Sequence, residues 1–286
     1  MNGQTKERAK FPLRAAVVGW PIKHSRSPLI HNYWLERHGI SERYDKLAIE
    51  PDRFPDFVRN LAQSGLRGCN VTIPHKQMAF AMADVRHPDA EAVKAANTLW
   101  LENGRLHATN TDTYGFMTHL ATSSPNWQDG NGQVALLGAG GATRAIIFGL
   151  LASGVDRIHL TNRTRASAEI LASEFGPKIR VFDWSDRSKA IEGAKCLINT
   201  TSLGMDGYPP LDLDISCLSG SATVADIVYV PLETPLLANA RRYGFTAVDG
   251  LGMLLHQAAP AFENWYGFRP EVTAELRALV VADLES

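Results

Sequence analysis

Val134-Ala-Leu-Leu-Gly138-Ala-Gly140-Gly141-Ala142-Thr143-Arg144-Ala145 reads, in order, as an apolar strand, a glycine turn and the start of a helix. Residues 133–137 are short, apolar and bounded by glycine, the pattern of a strand covered on both faces. Residues 142–151 predict a helix, with Gly154 just past its end. A Gly-x-Gly alone is a weak signal, but between a strand and a helix it becomes a dinucleotide fingerprint. The glycines allow a tight turn and close backbone approach to a pyrophosphate. The amides and dipole of the helix start then favour that anion. Gly138, Ala139, Gly140, Gly141 and Ala142 are therefore the candidate phosphate cradle. Thr143 stands where the fingerprint usually has Gly or Ala, which changes helix–strand packing without removing the cradle.

Downstream, the end of the next strand selects the dinucleotide. An NAD site usually places Asp or Glu about 20 residues on, to hold the ribose 2′-hydroxyl. Here the segment is Leu160-Thr161-Asn162-Arg163-Thr164-Arg165, with no acid and two arginines. A guanidinium fork suits a 2′-phosphate, which a carboxylate would repel. This predicts NADP(H).

Further strands at 157–161, 196–199 and 223–227, with a helix at 166–175, predict a parallel sheet with helices on both faces. Upstream, residues 122–132 are rich in Ser, Pro, Asn, Asp and Gly and read as a loop. Before them, strands are expected at 15–19, 44–49 and 69–73. Ser27-Pro28 marks a helix start, with Ser at the N-cap and Pro at the first helical position. Asn103-Gly104 between apolar runs at 96–101 and 105–108 predicts a hairpin. The tail 253–286 reads as mostly helical and is expected to join the first part. The expected architecture is α/β: an N-terminal α/β domain of residues 1–112 joined by 253–286, and a Rossmann-type NADP-binding domain of 113–252, with a cleft between them.

The whole-chain numbers agree with a globular enzyme. With 29 Lys and Arg against 30 Asp and Glu, the chain has no basic field for nucleic acid or an anionic membrane. Met1 to Lys10 is polar, without the apolar core of a secretory signal, and no apolar run is long enough for a membrane span. Three cysteines, Cys69, Cys196 and Cys217, form no Cys-x-x-Cys and read as buried thiols of a reducing compartment, so the cytoplasm is the expected location. No clustered Cys/His pattern, nucleophile elbow or Walker loop is present, so no metal is expected.

The first part holds a further set of motifs. Gly19-Trp-Pro21-Ile-Lys-His24-Ser25-Arg-Ser27-Pro28, Asn70-Val-Thr72-Ile-Pro74-His-Lys76, Ala96-Asn97-Thr98 and Asn110-Thr111-Asp112-Thr-Tyr-Gly115 occur in that order. Asn162-Arg163-Thr164, Asn199-Thr200-Thr-Ser202-Leu-Gly-Met205, Asp226-Ile-Val-Tyr229-Val-Pro231 and Asp249-Gly250-Leu-Gly252-Met253-Leu-Leu-His-Gln257 follow. Together this ordered set resembles the shikimate dehydrogenase family. The resemblance implies reversible, NADP-dependent reduction of 3-dehydroshikimate to shikimate, a step of aromatic amino acid biosynthesis.

By that resemblance Lys76 and Asp112 are the catalytic pair. A carbonyl that accepts hydride becomes an alkoxide, which needs a cationic acid within reach; a lysine ammonium both stabilises the charge and gives the proton. Ser25 and Ser27 match the serines that bind the substrate carboxylate; Ser27 has the helix N-cap as a second reading, whereas Ser25 has none. Thr72 and Asn97 match residues that hold ring hydroxyls, and Tyr229 and Gln257 match further substrate contacts. Thr200, Ser202, Met205, Ile227, Gly250 and Met253 match the cofactor side, beside Asn162, Arg163, Thr164 and Arg165; Met253 is equally readable as core. Two positions depart from the family's glycines, Lys94 and Ala108, and introduce strain if the backbone there needs φ > 0. A related enzyme acting on quinate, or on both acids, with NAD shares this pattern. So does a binder that keeps NADP without turnover, although intact Lys76, Asp112, Asn97 and Gln257 weigh against it. Either a monomer or a homodimer is compatible with the sequence.

Overall fold

The computed structural model describes residues 14–128 and 132–286. The polar opening Met1 to Lys10 and residues 129–131 of the expected loop lie outside them. Contacts divide the chain into two compact units, Met1–Asn110 with Ala261–Pro270, and Thr111–Pro260 with Glu271–Ser286.

The first unit runs β1 (Arg14–Gly19), α1 (Ser27–Arg37), β2 (Tyr44–Ala48), α2 (Phe54–Arg59), β3 (Leu66–Val71), α3 (Lys76–Met82), β4 (Val85–Arg86), α4 (Pro88–Val93), β5 (Thr98–Glu102) and β6 (Arg105–Thr109). Its six strands form one mixed sheet in the order β2-β1-β3-β5-β6-β4. The β1–β2 and β1–β3 pairs are parallel, and β3–β5 and β5–β6 are antiparallel. The hairpin between β5 and β6 turns on Asn103 (φ 51°) and Gly104 (φ 76°), the left-handed pair that a two-residue hairpin requires. Lys94 also sits in the left-handed region (φ 52°), just past α4, so a side chain does stand where glycine has no steric cost. Ala108 lies inside β6, in extended backbone.

His31 on α1 is fully buried, with its ring stacked on Tyr44 at 4.1 Å. Burial pushes its pKa from 6.5 down to about 3. The folded chain therefore keeps this imidazole neutral, while the unfolded chain protonates it below about 6.5. Its contribution to stability is complete above that value and is lost as pH falls toward about 3. Across that window the loss is roughly 1.4 kcal/mol per pH unit. Urea midpoints measured against pH are expected to show a shallower acid decline for His31→Phe than for the wild type.

The second unit runs α5 (Asp112–Ser123), β7 (Val134–Leu137), α6 (Gly141–Ala152), β8 (Ile158–Thr161), α7 (Arg165–Phe175), β9 (Ile179–Phe182), α8 (Arg187–Ile191), β10 (Cys196–Asn199), β11 (Thr223–Asp226), α9 (Pro235–Arg242) and β12 (Thr246–Val248). Then come α10 (Gly250–Tyr266), which passes into the first unit from Ala261, and α11 (Ala274–Leu284). All its strands pair in parallel, in the order β9-β8-β7-β10-β11-β12. In chain order within the unit this is 3-2-1-4-5-6, the doubly wound arrangement, and its direction reverses between β7 and β10. Val134, Ala135, Leu136 and Leu137 are each at most 2% exposed. Burying a leucine this fully contributes roughly 1.5–3 kcal/mol.

Contacts group only Ala261–Pro270 of the tail with the first unit, and Glu271–Ser286 with the second. An ion pair between Arg277 of α11 and Asp249, at 2.6 Å, ties this last segment to the second unit. Cys69 and Cys196 are fully buried, which pushes both thiols up to about 12, while Cys217 is half-buried, short of the burial expected for it. Among the described residues no helix is long and apolar enough to cross a membrane.

Candidate functional site

In the first unit, the motif residues after β3 meet those before β5 through a buried polar network. Tyr44 donates its phenol hydrogen to Asn70 Oδ1 at 2.6 Å. Asn70 Nδ2 donates to the Asn97 carbonyl at 3.1 Å and to Thr98 Oγ1 at 3.2 Å. Thr98 Oγ1 in turn donates to Asn97 Oδ1 at 2.9 Å, which orients the Asn97 amide. The backbone closes the patch: Val71 N donates to Asn97 O, Ala96 N to Lys76 O, and Asn97 N to Thr109 O. The segment from Asn70 to Lys76, the segment from Ala96 to Thr98 and the end of β6 at Thr109 are thus tied together within the unit.

Lys76 is half-buried and opens α3. A cation at a helix start opposes the macrodipole, so the helix dipole gives no reason for it there. At the start of α1, Ser27 is 6% exposed. The N-cap position belongs to Arg26, not Ser27, and no side chain bonds as a cap there. Instead, Ser25 Oγ accepts the Ser27 amide at 3.3 Å, so Ser25 does have a local structural use that the sequence reading denied it.

In the second unit, the candidate cofactor residues line one edge of the sheet. Asn162 follows β8, Gly138 follows β7, Thr200 follows β10, Ile227 follows β11 and Gly250 comes two residues after β12. These are the carboxyl ends of parallel strands, where an open α/β sheet binds its ligand, and Gly138 and Thr200 flank the reversal point. Ser202 and Met205 lie on the loop after β10. Ala139, Ile227 and Met253 are partly buried against the core of this unit, so Met253 does pack.

The glycine turn fits a pyrophosphate. A Cβ at Gly140 or Gly141 would meet nothing within 4 Å, so this face of the turn is open. The first turn of α6 leaves amides without intrahelical acceptors. Gly138 has φ +111°, and a Cβ there would fall 2.5 Å from Thr200 Oγ1. The Thr143 departure also has an explanation. Its Oγ1 accepts the Gly140 amide at 3.0 Å and lies 2.6 Å from Thr200 Oγ1, which donates to the Leu137 carbonyl at 2.7 Å. This relay fastens the turn to the ends of β7 and β10.

The two candidate 2′-phosphate arginines differ. Arg165 donates to Glu169 Oε1 at 2.7 Å and to Asp183 Oδ1 at 2.9 Å, so two carboxylates already face it. Arg163 is exposed at the end of β8, where the ribose is read. Asn162 Nδ2 donates to the Thr164 carbonyl at 2.9 Å and shapes the turn that carries it.

Two of the motif residues, Asn199 and Asp226, hold these loops from within, a use the motifs alone did not indicate. Asp226 is almost fully buried and accepts from Asn199 Nδ2, Val228 N and Thr234 Oγ1. Burial raises its pKa from 3.8 to about 6 against the lowering effect of those bonds. Asn199 Oδ1 accepts from Thr201 N and Oγ1, which shapes the loop carrying Ser202 and Met205. The available signal was a buried-type strand ending in an ionisable residue, which needs partners. Among the described residues no group of three or more His, Cys, Asp and Glu is arranged to hold a metal.

Comparison with known proteins gives a consistent result. Residues 17–99 match the shikimate dehydrogenase substrate binding domain, 120–204 match shikimate / quinate 5-dehydrogenase, and 250–279 match the shikimate 5′-dehydrogenase C-terminal domain. The chain is 53% identical over 272 residues to a shikimate dehydrogenase (NADP(+)) of Methylocella silvestris, covering 95% of this chain and 97% of that one. A protein of the same name from Methylobacterium radiotolerans is 55% identical over 274 residues, covering 95% and 97%. Among solved structures, the shikimate 5-dehydrogenase of Thermus thermophilus in complex with NADP(H) and shikimate superposes with a TM-score of 0.84 at 32% identity, covering 94% of this chain and 99% of that one. A quinate dehydrogenase from Corynebacterium glutamicum in complex with NAD gives 0.86 at 27% identity, covering 94% and 99%. With the sheet order, the glycine turn and the ordered motifs, these likenesses show that the chain belongs to the shikimate dehydrogenase family.

Proposed function

We propose that this chain is an NADP-dependent shikimate dehydrogenase that interconverts shikimate and 3-dehydroshikimate, with the first unit holding the acid and the second the dinucleotide. The observation that carries the reading is the network of Asn70, Asn97 and Thr98, which ties the segment holding Thr72 and Lys76 to the segment holding Asn97. It gathers a cation, a hydroxyl and an oriented amide, the donors and acceptors that a polyhydroxylated ring needs. Ser25 and Ser27 donate to the ring's carboxylate, and Thr72, Asn97, Tyr229 and Gln257 hold its hydroxyls. The bound nicotinamide supplies or removes the hydride. Lys76 gives its proton to the nascent alkoxide and recovers one from the alcohol in the reverse direction, with Asp112 orienting the ammonium. General acid–base help of this kind contributes about 10²- to 10⁴-fold. We place the enzyme in the cytoplasm, as a monomer or homodimer.

Incubation with shikimate and NADP⁺ followed by product analysis is expected to give 3-dehydroshikimate and NADPH in equal amounts. Absence of either product overturns the reading. Arg163 favours NADP over the NAD seen in the quinate dehydrogenase complex. A bond between a guanidinium and a phosphate is worth about 1.5–3 kcal/mol. Arg163→Ala should therefore raise KM for NADP⁺ roughly ten- to a hundredfold and leave kcat/KM for NAD⁺ unchanged. Arg165→Ala should shift it far less, because Glu169 and Asp183 already occupy that side chain. Equal effects from the two variants would contradict the assignment.

A further inference from the structure

We propose that Asp249 is a positioning residue: it fixes the start of α10 against α5 and α11, and so sets where Gln257 stands relative to Asp112. The inference rests on the dehydrogenase reading. Asp249 lies between β12 and α10, and its Oδ1 accepts the amides of Leu251 at 3.0 Å and Gly252 at 3.3 Å. Arg277 of α11 donates to Oδ2 at 2.6 Å and to Oδ1 at 3.4 Å. His119 of α5 brings Nε2 to 3.7 Å from Oδ1, and the His119 and Asp249 side chains are only 12% and 15% exposed. Burial alone would raise this carboxyl, but the His119 and Arg277 contacts outweigh it and hold the group below the usual carboxylate range. One carboxylate therefore meets three helices.

The contact it controls has almost no slack. A Cβ at Gly252 would fall 2.0 Å from His119 Nδ1. A Cβ at Gly115, one turn after Asp112, would fall 2.6 Å from Gln257 Cβ and 2.7 Å from the Met253 carbonyl. Helices α5 and α10 thus touch with a glycine on each side, and Thr111 Oγ1 reaches Gln257 Oε1 at 3.4 Å. At Gly115 the backbone of α10 itself, the Met253 carbonyl and the Gln257 amide, lies against α5, so a shift at the start of α10 passes directly to Gln257. Displacement of about 1 Å in a positioning group costs on the order of 10²-fold in rate.

The test compares Asp249→Asn, which keeps an oxygen for the two amides and loses the charge, with Arg277→Gln and Arg277→Lys. Assays run well below each variant's Tm with shikimate and NADP⁺. For Asp249→Asn and Arg277→Gln, kcat is expected to fall roughly ten- to a hundredfold and KM for shikimate to rise. The Kd for 2′,5′-ADP, a probe of the Arg163 end of the cofactor site alone, should stay within about twofold of wild type, since Arg163 lies on another element than Gly250 and Met253 of α10. Arg277→Lys should recover part of the loss. A purely structural role would lower Tm and leave kcat and KM of the folded enzyme unchanged, and that result in both charge-removing variants overturns the proposal. Wild-type enzyme that does not turn over shikimate sinks the dehydrogenase reading, and this inference with it. Wild-type turnover matched by both variants removes the positioning role alone.

Discussion

Lys76→Ala enzyme is expected to bind NADP⁺ normally and to lose turnover by about 10²- to 10⁴-fold, the range that a positioned general acid supplies. Lys76 opens α3, where a cation opposes the helix dipole, so its removal costs that helix no favourable dipole interaction. Its carbonyl, which accepts the Ala96 amide at 2.9 Å, is backbone and survives the substitution. Folding and the dinucleotide site should therefore be preserved, and the effect should appear in kcat with shikimate. Stopped-flow or steady-state turnover at saturating NADP⁺ reads it. Turnover within a few-fold of wild type would remove Lys76 from the proton-handling role.

Gly138→Val is expected to abolish NADP⁺ binding, with Kd rising by more than about a hundredfold. The backbone there has φ +111°, which a β-branched residue does not adopt without strain. Any Cβ would fall 2.5 Å from Thr200 Oγ1, and that hydroxyl cannot move away without breaking its 2.7 Å bond to the Leu137 carbonyl. Either the turn opens or the Thr143–Thr200–Leu137 relay breaks, and both spoil the cradle. Titration by intrinsic fluorescence checks this, alongside circular dichroism to verify folding. Wild-type affinity in a folded variant would place the pyrophosphate elsewhere.

Much of this was legible from local pattern. The β7–α6 unit carries its strand, its turn and its helix start in consecutive residues, so nothing distant was needed to read it. The Asn103-Gly104 hairpin was equally local. What failed to show depended on partners far along the chain. Strand β3 starts at Leu66, three residues before the expected start, because Gly68 hid its strand character. That glycine is there because a Cβ would fall 2.2 Å from the Leu99 carbonyl of the neighbouring strand. Ser25 bonds the amide two residues on, a use that no propensity scale assigns in advance. Asp249 and Arg277 are separated by 28 residues, so neither the motif nor the tail announced their pairing. The catalytic candidates were legible only as motif residues. A lysine and an aspartate 36 residues apart carry no mutual signal in composition or periodicity.

The central claim is the pairing of this acid with this dinucleotide, and the most direct measurement is kcat/KM for shikimate and quinate, each with NADP⁺ and NAD⁺, on one enzyme preparation. The account predicts that NADP⁺ exceeds NAD⁺ by at least about tenfold with either acid, the discrimination that one phosphate–guanidinium contact supplies, and that shikimate exceeds quinate with NADP⁺. Preference for quinate with NAD⁺, or no nicotinamide reduction with any pair, would contradict it.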